Sequence, residues 1–279
     1  MLPWHCDWNV KPLRGSIAPD LRRKSSPPPM PHPPYAQALH AVLERLAAAA
    51  QAAGRPGPRL LAVSKTQPAT AVAEMAAALR SAATAVTGAT AITGLPAFGE
   101  NYVQEALAKQ SALSSQTLEW HLIGHLQSNK AREAAAAFDW VQTVDRDKLV
   151  AALARHRPGD RPPLNVLVQV NIDDEASKHG CAPAQVPALA AAIAAQPRLA
   201  LRGLMAIPAP HPDAGLRRAA FIRMKALFDA LAAQYPTVDT LSMGMSDDIE
   251  LAVAEGGTMV RVGTALFGAR EPGIGNRES

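Results

Sequence analysis

The chain has 279 residues, 48% of them apolar and only 4% aromatic, with a formal net charge of +4. Five basic and two acidic side chains fall within residues 1–35, so the rest of the chain is close to neutral, which excludes the broad attraction that nucleic-acid or anionic-membrane binding requires. Two cysteines, Cys6 and Cys181, form neither a disulfide framework nor a metal knuckle and fit a reducing cytoplasmic compartment, and no apolar run reaches the length of a membrane helix.

Residues 1–33 end in "SSPPPMPHP" and read as a disordered, proline-rich extension, with Met30 as an alternative first residue. A helix is predicted from about Tyr35 to Ala53, with Leu39, Val42, Leu43 and Leu46 at helical spacing. The strand Leu60–Lys65 follows, then a helix over Ala69–Leu79. Between Leu79 and Phe98 the weakly apolar "RSAATAVTGATAITGLPA" leaves the second strand without a clear position. Then come the strand "EWHLIG", a helix from about Ser128, the strand "DWVQTV" and the helix "DRDKLVAALARH". "LNVLVQVNI" is the strongest strand, followed by the helix "PAQVPALAAAIAAQ". The strand "LALRGLMAI", a helix over Gly215–Gln234, the strand "VDTLSMG", the helix "DDIELAVAEG" and the strand "TMVRVGTALFG" complete the pattern. Continuously apolar strands alternating with helices mean a parallel sheet covered on its faces. Eight such units in about 245 residues predict an α/β fold, a single closed (β/α)8 TIM barrel over residues 34–272 with a tail at 273–279. A doubly wound sheet is the alternative, but the Gly-rich dinucleotide loop is missing after the first strand.

In such a barrel the reactive side chains sit at the C-terminal ends of strands. That rule selects Lys65, Asn101, His121, Gly124, Asn171, Met205, Ser242, Ser246, Arg261, Gly263 and Thr264. The segments "SMGMSDD" and "RVGT" after strands seven and eight carry hydroxyls and glycines suited to a phosphate. Asp247 and Asp248 lie beside that site, and Asp247 with Glu250 reads as a helix-capping pair. Lys65 is either a solvated strand-end lysine or an amine placed for Schiff-base chemistry, and an amine facing a phosphate cradle suits pyridoxal 5′-phosphate. Arg261, inside an apolar strand, needs an acceptor: a core carboxylate such as Glu100 or Asp173, or the pyridine nitrogen of that cofactor. His121 and His125 in "HLIGH" are four apart, but no helix holds them and a third ligand is missing, so no metal is expected.

The segments "LLAVSKTQP", "FGENYVQEALAK", "WHLIGHLQSNK", "VLVQVNIDDEASKHG", "LRGLMAIPAP" and "LSMGMSDDIELAVAEGGTMVRVGTALFG", in this order from Tyr35 to Arg270, resemble the YggS/PROSC family of pyridoxal-phosphate homeostasis proteins, which are similar to the N-terminal barrel of alanine racemase. The resemblance implies a Schiff base between the cofactor and Lys65. It implies phosphate contacts from Ser246, Gly263 and Thr264, and also from Ser242 and Met243, with Arg261 at the pyridine nitrogen and Asn101 near the ring. It implies cofactor buffering or delivery to PLP-dependent apo-enzymes and little or no turnover; the protein is expected to be a monomer without a nucleic-acid or membrane partner. A racemase or lyase is the alternative function, and it would need a second base, which alanine racemase takes from a further domain that this chain is expected to lack. A Schiff-base aldolase acting on sugar phosphates is a third reading. Two departures from the family pattern stand out: the N-terminal extension, and roughly 15 extra residues before "FGENY", against usual loop lengths, which leave the register of strand two and the place of Asn101 open.

Overall fold

The computed structural model describes residues 34–85, 94–175, 178–209 and 211–268. The extension at 1–33, the tail at 273–279 and most of the extra segment before "FGENY" therefore lie outside the described residues. Eight parallel strands close into a barrel in chain order: β1 Arg59–Val63, β2 Ala97–Glu100, β3 Glu119–Leu122, β4 Trp140–Val144, β5 Leu164–Gln169, β6 Leu199–Met205, β7 Thr240–Ser242 and β8 Met259–Val262. The expected (β/α)8 barrel is what the chain forms.

Helices α1 Pro34–Ala53, α2 Ala69–Ala85, α3 Val103–Ala112, α4 Ala131–Ala137, α5 Asp147–His156, α6 Val186–Ala194, α7 Ala214–Ala232, α8 Ile249–Ala254 and α9 Thr264–Phe267 surround it. The helix α1, ahead of the first strand, packs against α2, α8 and α9 and so closes the outer ring. Alanines such as Ala49, Ala76, Ala106, Ala134 and Ala190 are buried there, and their small side chains let helices lie close to the larger Val, Leu and Ile residues of the sheet. The helix α2 runs six residues further than its apolar spacing predicts, because alanine sustains a helix without needing a buried stripe. The strand β2, unplaced by the sequence, pairs with both neighbours, with Phe98 opposite Ala62 and Trp120. Its register puts Asn101 directly beyond a barrel strand.

Strand periodicity decides which side chains enter the barrel. Leu60 and Ala62 belong to the core between sheet and helices. Leu61 and Val63 instead join Ala97, Ile123 and Met259 in a separate interior cluster, and Trp140, Leu167 and Met205 form another. The inward row of β1 is thus Leu61, Val63 and, beyond the strand, Lys65. The row of β2 is Ala97, Gly99 and Asn101, and that of β8 is Met259, Arg261 and Gly263.

Candidate functional site at the C-terminal mouth of the barrel

Lys65, Asn101, Ser246, Gly263 and Thr264 all follow the C-terminal ends of strands that are consecutive around the barrel, β7–β8–β1–β2. Lys65 stands two residues beyond the paired Val63 and is half-buried, neither immersed in the core nor solvated like an ordinary surface lysine. Its backbone is held tightly. Ser64 N–H donates to the Gly99 carbonyl at 3.0 Å, and Gln67 N–H closes a turn on the Ser64 carbonyl at 3.0 Å. Thr66 adopts a left-handed φ of 66°, which a β-branched residue takes only when its surroundings enforce it.

The enforcing group lies behind the strand. Ser64 and Glu100 point outward, away from the barrel interior, and Lys109 of α3 meets them. Its ammonium donates to both Glu100 oxygens at 2.8 and 2.9 Å, to Glu105 Oε1 at 2.7 Å and to the Ser64 carbonyl at 2.7 Å. Glu105 Oε1 also accepts the Thr66 N–H at 2.6 Å, and the Ser64 hydroxyl donates to Glu100. Burial pushes the Glu100 carboxyl upward, opposed by the Lys109 charge. This clamp was not foreseen from the sequence; its one signal is the Glu105/Lys109 pair at i,i+4 in "ENYVQEALAK".

Arg261 is 4% exposed. It donates to the Ser242 hydroxyl at 2.7 Å and to the Ala206 carbonyl at 2.8 Å. The core salt bridge to Glu100 or Asp173 is not formed. Glu100 faces outward onto Lys109, while Asp173 accepts from Ala209 N–H at 2.6 Å and pairs with Arg223. Desolvation lowers the Arg261 guanidinium to about 10. Ser242 in turn donates to Gln142 Oε1 at 2.7 Å, and Gln142 Nε2 lies 2.9 Å from His121 Nδ1. His121 Nε2 meets Glu119, which also pairs with Arg59 at 2.8 Å. Both His121 nitrogens are therefore committed to the interior, and the ring stacks on Trp140 at 5.1 Å. Burial holds His121 below its ordinary value. Burial would raise Glu119, but His121 and Arg59 outweigh it and the carboxyl is lowered.

Two expectations at strand seven need correction. The Ser242 hydroxyl has its single hydrogen engaged with Gln142, so it is not a phosphate donor. Met243 has its side chain fully buried between sheet and helices and its N–H bonded to the Met259 carbonyl at 3.1 Å. What remains for an anion is the half-buried Ser246, Gly263 and the exposed Thr264. Gly244, at φ 92° and with no room for a Cβ against Ala252, makes the turn that leads to Ser246. The Asp247–Glu250 capping pair is also absent. Asp248, not Asp247, precedes α8 and accepts the Met245 N–H at 2.6 Å, while Glu250 pairs with Arg45 of α1. A guanidinium outcompetes a backbone amide for that carboxylate. Arg45 also donates to the Ser246 carbonyl at 2.7 Å, fixing the loop from outside.

Comparison with known proteins agrees with this fold. A family model for the N-terminal domain of alanine racemase matches residues 38–271. A protein of Pseudomonas aeruginosa named pyridoxal phosphate homeostasis protein is 51% identical over 241 residues, covering 85% of this chain and 96% of that one. Its namesake in Escherichia coli is 48% identical over 238 residues, covering 84% and 95%. Among solved structures, PipY of Synechococcus elongatus with PLP bound is similar at a TM-score of 0.67 and 36% identity, covering 84% of this chain and all of PipY.

Proposed function

This chain belongs to the pyridoxal phosphate homeostasis protein family, and on that premise we propose that it binds pyridoxal 5′-phosphate and buffers or delivers it, with little or no turnover of its own. The observation that carries the reading is the donor set on three consecutive strands, β7, β8 and β1: an amine at Lys65, a buried guanidinium at Arg261 with no carboxylate partner among the described residues, and the Ser246, Gly263 and Thr264 positions at the mouth. These groups suit, in turn, an aldehyde, an aromatic ring nitrogen and a phosphate. When bound, the cofactor supplies an aldehyde that condenses with an amine and a ring that delocalises charge.

Lys65 is the residue we assign to the Schiff base, a condensation that releases one water. The Lys109 clamp holds its backbone from behind, so the amine enters the mouth from a fixed origin. Ser246, Gly263 and Thr264 hold the phosphate, and Asn101 lies beside the ring. Helices α8 and α9 are short, so hydroxyls and loop amides, rather than a long helix dipole, carry that contact. Arg261 faces the ring nitrogen as a hydrogen-bond donor. Ser242 positions Arg261 and Met243 holds β7 in place. An arginine at the ring nitrogen disfavours its protonation and weakens the ring as an electron sink, which favours holding the cofactor over using it.

The barrel of residues 34–272 carries this role, with residues 1–33 and 273–279 dispensable to it. Its setting is a reducing cytoplasm. There Cys181, a buried thiol pushed up to about 11, is inert. The protein acts as a monomer, and PLP-dependent apo-enzymes are its partners; no helix among the described residues is long and apolar enough to cross a membrane. The test is a transfer assay. The loaded protein, freed of unbound cofactor, is mixed with an apo-enzyme that needs PLP. The reading predicts recovery of that enzyme's activity in proportion to the loaded protein added. A protein that retains no cofactor through gel filtration, or retains it and releases none to any apo-enzyme tried, would contradict it.

A further inference from the structure

The loops after β3, β4 and β5 lie on the part of the mouth that the cofactor set leaves unused, and they bring His125, Asp145 and His179 together. The donor atoms of the three side chains lie within 4.8 Å of one another. The two imidazoles stack with centroids 3.7 Å apart and planes 15° from parallel. His125 Nδ1 is 3.9 Å from Asp145 Oδ2. We propose that these three residues form a divalent transition-metal site, of the kind that takes zinc, cobalt or nickel. The proposal does not depend on the cofactor reading.

The scaffold holds each ligand in place. Gly124, just before His125, lies so close to the Asn101 carbonyl that a Cβ would come within 2.1 Å of its oxygen. Its own carbonyl accepts the Thr143 hydroxyl at 2.9 Å, which ties the ends of β3 and β4 together and sets His125 beside Asp145. His179 comes from a chain that folds back over β5. Cys181 N–H donates to the Gln169 carbonyl and Asn171 N–H to the Cys181 carbonyl, both at 2.9 Å. Gly180 permits the return, with a φ of 120°. Gln169 Nε2 donates to the His179 carbonyl at 3.2 Å and Lys178 N–H to the Glu175 carbonyl at 3.0 Å, so the segment is anchored on both sides of the imidazole.

Asp145 has the geometry of an oriented ligand. Its side chain is 10% exposed, and Oδ1 accepts from Arg146 Nη1 at 2.6 Å, while Oδ2 faces the histidines. Arg146 is itself fixed by the Leu126 carbonyl at 3.0 Å and the Ser128 hydroxyl at 3.3 Å. A carboxylate held through one oxygen and presenting the other is the outer-shell arrangement that fixes metal ligands. Two imidazoles and one carboxylate suit zinc and its neighbours rather than calcium or magnesium, which take oxygen ligands. With metal–ligand distances of roughly 2.0–2.2 Å, the donors must close by under about 1 Å, which side-chain rotation of two exposed imidazoles supplies. Three protein ligands leave a position for water or an anion. The "HLIGH" spacing looked unsuitable for a metal because no helix and no third ligand accompanied it. His121 is indeed committed elsewhere, but topology brings the two missing ligands from β4 and β5.

The experiment uses the full chain without a histidine tag, stripped with chelator and titrated with zinc by calorimetry and with cobalt by visible absorption. One equivalent should bind, and the cobalt form should develop ligand-field bands. His125→Ala, His179→Ala and Asp145→Asn should each weaken binding at least tenfold, whereas His40→Ala, at the exposed pair with Glu44, should leave it unchanged. In the unmodified protein, zinc should shift the imidazole NMR signals of His125 and His179 and leave those of His121 in place. No binding of either metal, undiminished binding in a His125→Ala/His179→Ala double variant, or zinc-induced shifts confined to other histidines would each overturn the proposal.

Discussion

Arg261 donates to the Ser242 hydroxyl at 2.7 Å, and that bond begins a one-way sequence of donors through the barrel. Ser242 donates to Gln142 Oε1, the Gln142 amide donates to His121 Nδ1, and His121 donates through Nε2 to Glu119. The directions are mutually consistent only if His121 is neutral with its proton on Nε2. A second proton, on Nδ1, would face the Gln142 N–H.

A pH dependence of stability follows. His121 is held below its ordinary value in the folded protein, chiefly by burial. Below about pH 6.5 the unfolded chain therefore binds a proton that the folded one refuses, so stability falls as pH drops through that value, by up to about 1.4 kcal/mol per unit. Glu119 is lowered as well and extends the loss below about pH 4.5. Urea titrations at about pH 7.5 and about pH 5.5 should show this loss in the parent, and His121→Gln should show a smaller one. An equal dependence in the two would mean that His121 does not titrate between the folded and unfolded states.

Arg261→Gln should weaken retention of the cofactor and shift its visible absorbance. A charged donor and its hydrogen bond are lost, so the effect is roughly 1.5–3 kcal/mol in binding. Equilibrium dialysis and a spectrum read it directly. Unchanged affinity together with an unchanged spectrum would remove Arg261 from the ring.

Lys109 holds the Lys65 backbone through a buried ion pair. Lys109→Met leaves Glu100 unpaired and should cost about 3–5 kcal/mol of stability, of which the Glu100→Gln/Lys109→Met double variant should recover a large part. Denaturant midpoints of the three proteins form the test. A loss under about 1 kcal/mol in Lys109→Met would show that the pair is solvated and does not act as a clamp.

The barrel was legible because seven of its strands are continuous apolar runs, such as "LNVLVQVNI", separated by helical patterns. The strand β2 was not, since "AFGE" spans only Ala97–Glu100 and owes its place to pairing with β1 and β3 rather than to its own composition. Lys65 and Arg261 stood out as charged residues on apolar strands. The alternatives for Arg261 could not be separated until strand parity was known, because Glu100 and Arg261 lie on opposite faces of the sheet wall. The roles of Ser242 and Gln142 were hidden for a similar reason: their partnership joins residues 100 apart in sequence. The His125–Asp145–His179 cluster escaped because its members come from three separate strand ends.

The protein should exchange or racemise amino acids slowly at most. Racemisation needs acid–base groups on both faces of the substrate carbon. On the proposed assignment, with Lys65 as the base on one face and Arg261 at the ring nitrogen, deuterium incorporation at Cα of L-alanine should be slow and proceed with retention. Rapid formation of D-alanine by the unmodified protein would replace the homeostasis reading with that of a racemase.

The central claim is that Lys65 carries the cofactor, and reductive trapping tests it most directly. Borohydride treatment of the loaded protein, followed by digestion and mass spectrometry, fixes any Schiff base as a stable secondary amine at its site. The account predicts a pyridoxyl phosphate adduct on the peptide containing Lys65, with loss of the visible band and none of that adduct in Lys65→Ala. An adduct confined to Lys130 or Lys178, or a retained visible band after reduction with no adduct on any lysine, would contradict it.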